Sequence, residues 1–156
     1  MTTREGVIID ANVIIHGRGD LPFQNIITSQ SVYKEIKSQI SQFKLQSLDL
    51  QTFKPKKETL EKVSQEASKY NLAVSEEDCS LIALGIEKNL TVISDDKELQ
   101  NLCKLMDVSF DSFLGDRIEE TMKFGFFCEN CGSNRKDGED VCESCGSQSF
   151  VRKRVE

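Results

Sequence analysis

Short apolar runs alternate with longer amphipathic segments along most of the chain. The first run, V-I-I-D-A-N-V-I-I at residues 7–15, contains six Val or Ile residues, yet it also contains Asp10 and Asn12. Short apolar runs are typical of buried strands, whereas apolar residues that recur every three or four positions indicate a helix. A further strand is predicted from the alternation of Leu48 and Leu50 ahead of a proline. The predicted strands cover residues 5–9, 26–27, 45–53, 91–94 and 108–110, and a loop covers 17–22. One predicted helix begins near residue 12. The other predicted helices cover about residues 29–41, 57–70, 75–86 and 96–103.

Strands that alternate with helices favour an α/β fold, in which a parallel sheet is covered by helices on both faces. Two of the helix starts carry capping signals. Ser29 is placed to cap a helix whose apolar positions Val32, Ile36 and Ile40 recur every four residues. The segment S-E-E-D at 75–78 has the spacing of a capping box.

The composition changes near residue 120, and a cysteine-rich segment follows. We therefore predict one domain over residues 1–120 and a small module over residues 121–156. Four cysteines in that module form the pattern C-x2-C-x10-C-x2-C. Two residues between cysteines allow a tight turn to direct both thiolates at one ion, and four thiolates make a closed tetrahedral site that suits Zn²⁺. The predicted structural zinc ligands are Cys128, Cys131, Cys142 and Cys145.

Such a module is too small to bury an adequate core, so metal binding would supply much of its folding free energy. Gly132 and Gly146 each follow a cysteine pair, where the backbone is expected to need positive φ. Cys79 and Cys103 lie outside the pattern and are expected to be buried free thiols.

Charge and composition narrow the function classes. The net charge is −6, which counts weakly against a general nucleic-acid coat protein. No segment has the roughly 20 apolar residues of a membrane span, and no signal-peptide pattern opens the sequence, so we expect a cytoplasmic protein without a membrane partner. His16 is the only histidine, which leaves little room for a Ser-His-Asp triad, and it is about as well explained by a structural role as by substrate contact. The sequence has no phosphate-binding loop motif.

Acidic residues occur where predicted strands end or helices begin. Asp10 follows the first buried strand and Asp96 follows the strand T-V-I-S, so both are expected at the carboxyl edge of the sheet, where sites form in such folds. Each acidic residue also has a simpler interpretation: Asp10, Asp78 and Asp96 as helix caps, and Glu35 as a solvated helix charge. If the carboxylates converge, their repulsion would be relieved by hard divalent cations such as Mg²⁺ or Mn²⁺, which can activate water against a phosphodiester.

The sequence resembles PIN-domain nucleases over about residues 5–115. The blocks that carry the resemblance are V-I-I-D-A-N, V-Y-K-E-I, V-S-E-E-D-C-S-L-I-A-L-G and V-I-S-D-D-K-E-L-Q-N-L. A PIN domain followed directly by a four-cysteine ribbon resembles, more specifically, the archaeal endonucleases that trim the 3′ end of small-subunit rRNA. The resemblance implies a three-layer α/β/α fold with a zinc ribbon, and cleavage of single-stranded RNA by metal-activated water. It also implies precursor small-subunit rRNA and the pre-ribosomal small subunit as partners.

The resemblance also implies roles for individual residues. Asp10, Asp78 and Asp96 would bind Mg²⁺ or Mn²⁺, and Glu35 would bind the ion or orient a water in its shell. Asn12, Ser94 and Asp95 would be supporting residues, and Asp96 fits the last acidic position better than the adjacent Asp95. The basic run Arg152, Lys153 and Arg154 is predicted to contact RNA phosphates. Two alternatives stay open: a non-catalytic RNA- or ribosome-binding assembly factor, and a toxin-type PIN ribonuclease, a class that lacks the ribbon.

Overall fold

A five-stranded parallel sheet forms the centre of the larger part of the chain. The structure is a computed structural model and describes residues 6–16, 23, 25–135 and 139–155. The strand order is β3-β2-β1-β4-β5, with the first strand in the middle, where Ile8 pairs with Ile27 on one side and with Val92 on the other. The strands are β1 Val7–Ile9, β2 Ile26–Ser29, β3 Gln51–Phe53, β4 Thr91–Ile93 and β5 Phe110–Asp111.

The strand order grows outward from β1 in both directions. Right-handed crossovers that run in opposite directions place their helices on opposite faces of a parallel sheet. The predicted α/β fold with a parallel central sheet flanked by helices is confirmed. The helices are α1 Ala11–His16, α2 Gln30–Gln39, α3 Gln42–Ser47, α4 Lys57–Lys69, α5 Glu76–Lys88 and α6 Lys97–Leu105.

Helix α5 has a long buried segment and contacts β2, β1 and β4. Its residues from Cys79 to Gly85 are all buried, which explains why this segment is apolar on every side. A Cβ added at Gly85 would lie 3.0 Å from Val92 Cγ2 and 3.1 Å from Val108 Cγ1, so the absence of a side chain lets the helix approach the sheet closely.

The capping predictions are confirmed, but one predicted strand is wrong over half its length. The Ser29 side chain caps α2, and Ser75 and Asp78 form the capping box of α5. Residues 45–53 were predicted as one strand, whereas the chain forms α3 and then only the three-residue β3. The Ser41 hydroxyl caps α3, and Asp49 has a φ of 49°, so the leucine alternation spans the turn after a helix. The loop predicted at 17–22 lies outside the described residues.

A separate two-stranded antiparallel sheet carries the cysteines. It pairs β6 Lys123–Cys128 with β7 Phe150–Val155, in a register that sets Cys128 opposite Phe150. The parallel sheet ends at Asp111 and this sheet begins at Lys123, so the proposed division near residue 120 lies in the segment between them. Across the described ranges, the helices are all too short or too polar to span a bilayer.

Candidate functional site

The carboxyl edge of the parallel sheet holds a buried carboxylate. Asp10 directly follows β1 and is only 6% exposed, and Ser94 directly follows the neighbouring β4. The Ser94 hydroxyl donates a hydrogen bond of 2.8 Å to Asp10 Oδ2, while the Asp10 N–H donates to the Ile93 carbonyl oxygen at 3.1 Å. The sheet register therefore fixes both the backbone and the side chain of Asp10.

Burial makes this carboxylate reluctant to ionise. It raises the pKa of Asp10 from 3.8 to about 6, and the negative charges of Asp78 and Asp96 add to the rise. Hydrogen bonds from the Ser94 hydroxyl and the Ala11 N–H act in the opposite direction, because they stabilise the ionised form. Asp78 and Asp96 are therefore near enough to affect the ionisation of Asp10, but among the described residues the acidic oxygens do not lie as close together as the ligand atoms of a metal-binding group.

Asp78 belongs both to a helix cap and to this cluster. Its Oδ2 accepts a hydrogen bond of 3.2 Å from the Ser75 N–H, and its own N–H donates to Ser75 Oγ at 3.1 Å. Burial raises the pKa of Asp78, and the charges of Asp96 and Glu77 raise it further, against the hydrogen bonds from Ser75. A carboxylate has two oxygens, so a capping role through one of them leaves the residue able to bind a cation.

Asp96 likewise caps a helix. Its Oδ1 accepts hydrogen bonds from the N–H groups of Glu98 at 2.9 Å and Leu99 at 3.5 Å, at the start of α6. Its backbone N–H donates to Ser94 Oγ at 3.1 Å, and the same hydroxyl bonds Asp10. The Ser94 hydroxyl therefore links the Asp10 carboxylate to the backbone of Asp96.

Asp95 points to a different part of the chain. Its Oδ1 accepts hydrogen bonds from the N–H groups of Phe113 at 2.7 Å, Leu114 at 3.1 Å and Gly115 at 3.0 Å. Partial burial alone would raise the pKa of Asp95, but the three N–H donors and Lys97 lower it below its usual value. The geometry gives this carboxylate a loop-holding role, distinct from the position of Asp96.

Glu35 lies on the exposed side of α2, and the described contacts do not join it to the three aspartates. It lines a cavity of about 730 Å³, together with Glu77 on the first turn of α5. Three cations line the same cavity: Lys34, Lys54 and Lys57. We refer to it as the larger cavity.

Asn12 is exposed on α1 and lines a second cavity of about 500 Å³. This smaller cavity is lined by Asn12, Val13, His16, Asp95, Asp96, Phe113 and Leu114. The predicted site residues thus line two different cavities. Glu35 lines the larger cavity, and Asn12 and Asp96 line the smaller one.

A serine network next to the cluster was missed in the sequence. Ser80 Oγ donates to Ser29 Oγ at 2.7 Å and lies 3.3 Å from Ser31 Oγ, so it joins α5 to the end of β2 and the start of α2. Ser80 is buried within the apolar run C-S-L-I-A-L, and a lone hydroxyl in such a run was the available signal. Both Ser29 and Ser80 line the larger cavity.

The four predicted cysteine ligands converge. Their sulfur atoms all lie within 4.8 Å of one another, and in the described ranges they form the one group of three or more His, Cys, Asp or Glu ligand atoms close enough to hold a metal ion. Gly132 and Gly146 have φ values of 78° and 79°, as predicted, and their N–H groups bond the carbonyl oxygens of Cys128 and Cys142. The two cysteine turns therefore have the same backbone geometry, and the cluster could bind a metal ion.

The remaining thiols and the basic run occupy other environments. Cys79 and Cys103 are buried free thiols, as predicted, and burial raises the pKa of each. Lys153 and Arg154 are exposed. Arg152 is half-buried: its Nε donates to the Asn71 carbonyl oxygen at 2.7 Å.

The other contacts of Arg152 explain its burial. Its guanidinium forms an ion pair with Glu98 and stacks on the Phe124 ring, 3.6 Å from the centroid. Asn71 Nδ2 donates to the Phe124 carbonyl oxygen at 2.7 Å, at the same junction. Arg152 thus joins the cysteine module to the parallel-sheet domain through α6, the helix that Asp96 caps.

Comparison with known proteins identifies relatives that span most of the chain. Residues 7–87 match the family described as the PIN domain of ribonuclease. A protein named Endoribonuclease Nob1 from Pyrococcus abyssi is 30% identical over 149 residues, which cover 90% of this chain and 89% of that protein. The protein of the same name from Methanocaldococcus jannaschii is 27% identical over 156 residues, covering 95% of this chain and 79% of that relative. A protein named Ribonuclease VapC1 from Thermoplasma acidophilum is 24% identical over 145 residues, covering 90% of this chain and 75% of its own length.

The family match covers just over half of the chain and includes β1, which Asp10 directly follows, and the start of α5, where Asp78 lies. The Pyrococcus relative extends the similarity across nearly the whole chain. These matches agree with the parallel sheet and its acidic edge. The chain belongs to the family of PIN-domain endoribonucleases.

Proposed function

We propose that this protein is a metal-dependent, single-strand-specific endoribonuclease that cleaves precursor small-subunit rRNA at its 3′ end during ribosome maturation. The observation that carries the proposal is the buried carboxylate of Asp10 at the sheet edge, with the charges of Asp78 and Asp96 near enough to raise its pKa further. A buried carboxylate beside two like charges is costly unless a cation binds there. The relatives named Endoribonuclease Nob1 support endonucleolytic cleavage of RNA. The more specific substrate and partner, the rRNA precursor and the pre-ribosomal small subunit, rest on the resemblance of a PIN domain with a four-cysteine ribbon to the archaeal endonucleases that trim small-subunit rRNA.

The donor atoms favour a different metal at each site. Carboxylate oxygens are the ligands that Mg²⁺ and Mn²⁺ prefer, so Asp10, Asp78 and Asp96 would hold such an ion, with Glu35 as a ligand or as a residue that orients a water. Four thiolates suit Zn²⁺ in a closed site with a structural role. Division near residue 120 would then separate a catalytic domain over residues 1–120 from a zinc ribbon over residues 121–156.

The residues of the chain would prepare the acidic site for reaction. A divalent ion there would activate a water and stabilise the charge that develops on the phosphodiester. Ser94 orients the Asp10 carboxylate and favours its ionised form. The caps formed by Asp78 and Asp96 hold two further carboxylates on the first turns of α5 and α6, and Asn12 lies close enough to the smaller cavity to contact the substrate.

Basic residues would bind the phosphates of the RNA, although the protein as a whole has a net negative charge. Lys34, Lys54 and Lys57 line the larger cavity beside Glu35, which places cations within reach of phosphates on that side. On the ribbon, Lys153 and Arg154 are exposed and would contact a helical part of the rRNA, while Arg152 would orient the ribbon through its contacts with Glu98 and Phe124. Such a protein would act in the cytoplasm, where precursor ribosomal particles are assembled.

The test is cleavage of an end-labelled RNA that spans the 3′ end of small-subunit rRNA. Wild type and Asp10→Asn are compared in Mn²⁺ and in EDTA, with Asp107→Asn as a control for the same chemical change at an exposed carboxylate. We expect cutting at one position by wild type and by the control, only with the metal, and no cutting by Asp10→Asn. RNA binding without cutting by all three proteins, also on purified precursor particles, would favour a non-catalytic assembly factor. Cutting of tRNA or mRNA in preference to the rRNA would favour the toxin-type class.

A further inference from the structure

The smaller cavity has a composition that the acidic site alone does not explain. Its volume of about 500 Å³ lies in the range of ligand-binding pockets, roughly 300–1,000 Å³. Asp96 of the acidic cluster lines it, together with the apolar side chains of Phe113 and Leu114. His16, the only histidine of the chain, and Asn12 complete the polar part of the lining.

The apolar wall is built by a loop that Asp95 holds. Three consecutive N–H groups, those of Phe113, Leu114 and Gly115, bond one carboxylate oxygen of Asp95. Leu114 N–H also lies 3.1 Å from Oδ2. Because Asp95 is covalently next to Asp96, the loop is fixed relative to the acidic site.

The two apolar side chains of this wall differ in exposure. The Phe113 ring packs against Phe23, with ring centroids 6.1 Å apart and an angle of 51° between planes, so its orientation is fixed. Leu114 is 76% exposed. An exposed leucine beside a fixed aromatic ring and a histidine is typical of a surface that binds a flat, partly apolar ligand.

The charges decide which part of an RNA strand fits here. The charged residues that line the smaller cavity are Asp95 and Asp96, which repel phosphate. Among the described residues, the larger cavity carries three lysines, Lys34, Lys54 and Lys57, beside three glutamates, whereas no lysine or arginine lines the smaller cavity, so cations lie on the Glu35 side of the site. A nucleobase has no negative charge, stacks on aromatic and histidine rings, and offers N–H groups to carboxylate and amide oxygens.

We propose that the smaller cavity binds the base of a nucleotide next to the scissile phosphate, stacked on Phe113 and covered by Leu114 and His16. This inference rests on the proposed function, because it places a base of the same single-stranded RNA. Asp95 is then a positioning residue that holds the stacking wall beside Asp96. The cavity contributes to strand binding and to the choice of cleavage position, while the acidic cluster performs the chemistry.

The proposal is tested with the full-length, zinc-loaded protein and a single-stranded RNA that spans the 3′ end of small-subunit rRNA. In the first arm, KM and kcat are measured for wild type, Phe113→Ala, Leu114→Ala and Phe43→Ala. Phe43 is 85% exposed on α3 and lies outside both cavities, so it controls for loss of an exposed aromatic ring. Because Phe113 also packs on the core, Leu114→Ala provides a variant whose folding is not at risk.

We expect Phe113→Ala to raise KM by about tenfold and Leu114→Ala by several-fold, since the stacking of a base on an aromatic ring contributes to strand binding on that scale. The kcat should change little, because the lost contact is made equally in the bound state and in the transition state. In the second arm, Asp10→Asn binds RNAs in which 2-aminopurine replaces one base at a time around the cut. One position should show fluorescence quenching, and Phe113→Ala in the same background should remove it.

Three results would overturn the proposal in distinguishable ways. Metal-dependent cleavage by wild type, with unchanged KM in both cavity variants and no quenched position, would reject the base-binding cavity and leave the nuclease function standing. Failure of wild type to cleave any single-stranded RNA would reject the proposed function, and the cavity inference with it. An equal rise in KM for Phe43→Ala would also reject a specific role for the cavity.

Discussion

Replacing Asp10 with Asn should stabilise the zinc-loaded protein at neutral and alkaline pH when no divalent ion is bound at the acidic site. The folded state raises the pKa of Asp10 from 3.8 to about 6, mainly because the carboxylate is buried. With this raised pKa, ionisation of Asp10 lowers the free energy of unfolding by about 3 kcal/mol. Asparagine has the same shape, carries no charge, and keeps an oxygen that can accept the Ser94 hydrogen bond.

The sign of the pH dependence follows from the direction of the shift. A carboxyl group with a raised folded-state pKa contributes stability that is fully present below its unfolded pKa of 3.8 and is lost as the pH rises through about 6. Asp10→Asn should therefore exceed wild type by about 3 kcal/mol at about pH 8, and by about half as much at about pH 5. For a chain of this size, the larger value corresponds to a rise in Tm of roughly 6–12 °C.

The assay is urea unfolding of the zinc-loaded proteins in EDTA-free buffer without other divalent ions, at both pH values. The control is Asp107→Asn, because Asp107 is exposed and has a φ of 58°, which asparagine also adopts. The free energy of unfolding of this variant should differ from that of wild type by less than about 0.5 kcal/mol. Addition of Mn²⁺ should raise the stability of wild type and of the control but not of Asp10→Asn. Destabilisation by Asp10→Asn at pH 8, or a gain that does not depend on pH, would refute the reasoning.

Three further substitutions test other contacts. Ser94→Ala removes the hydroxyl that stabilises ionised Asp10, so the acidic limb of the pH–rate profile should move to higher pH; an unchanged limb would contradict the assigned role. Arg152→Ala removes the contacts that join the ribbon to α6, so the free energy of unfolding should fall by about 1–3 kcal/mol. Hydrogen exchange in β6 and β7 should also become faster. Glu98→Gln should show a smaller change in both measurements. Cys131→Ser removes one of four ligands, so the number of zinc ions bound per chain should fall below one. The far-ultraviolet circular dichroism of the antiparallel strands should weaken as well. Retention of zinc with unchanged β6 and β7 would contradict a four-thiolate site.

Much of the fold follows from local patterns in the sequence. The apolar runs at 7–9 and 91–93 form central strands, and the serine caps begin α2 and α5 where predicted. The segment at 45–50 was mispredicted because leucine alternation has the same appearance in a strand and in a helix end followed by a left-handed residue, Asp49. Periodicity over so few residues does not separate the two conformations.

The site depends more on contacts between distant segments. The carboxyl edge brings Asp10 and Ser94 together because β1 and β4 are neighbours, which the alternation of strands and helices suggests but does not specify. Asp95 and Asp96 are adjacent and chemically identical, and only the N–H groups around them separate a loop-holding carboxylate from one in the cluster. The resemblance favours Asp96 for the acidic position, but nothing local in the sequence indicates that Asp95 accepts hydrogen bonds from the N–H groups of residues 113–115.

The basic run shows the same limit. Arg152, Lys153 and Arg154 form one charged motif in the sequence, but alternate residues of a strand face opposite sides. The Arg152 side chain meets Glu98 and Phe124, whereas Lys153 is exposed. Composition alone treats the three as equivalent, and the packing of the ribbon on the larger domain makes them different.

Direct measurement of Mn²⁺ binding tests the central claim that the carboxylates at the sheet edge form a divalent-metal site. Electron paramagnetic resonance would follow free Mn²⁺ during titration of zinc-loaded wild type, Asp10→Asn, Asp78→Asn and the control Asp107→Asn. The account predicts saturable binding by wild type and by the control, with binding at least tenfold weaker in each cluster variant. Equal Mn²⁺ affinity in all four proteins would contradict it.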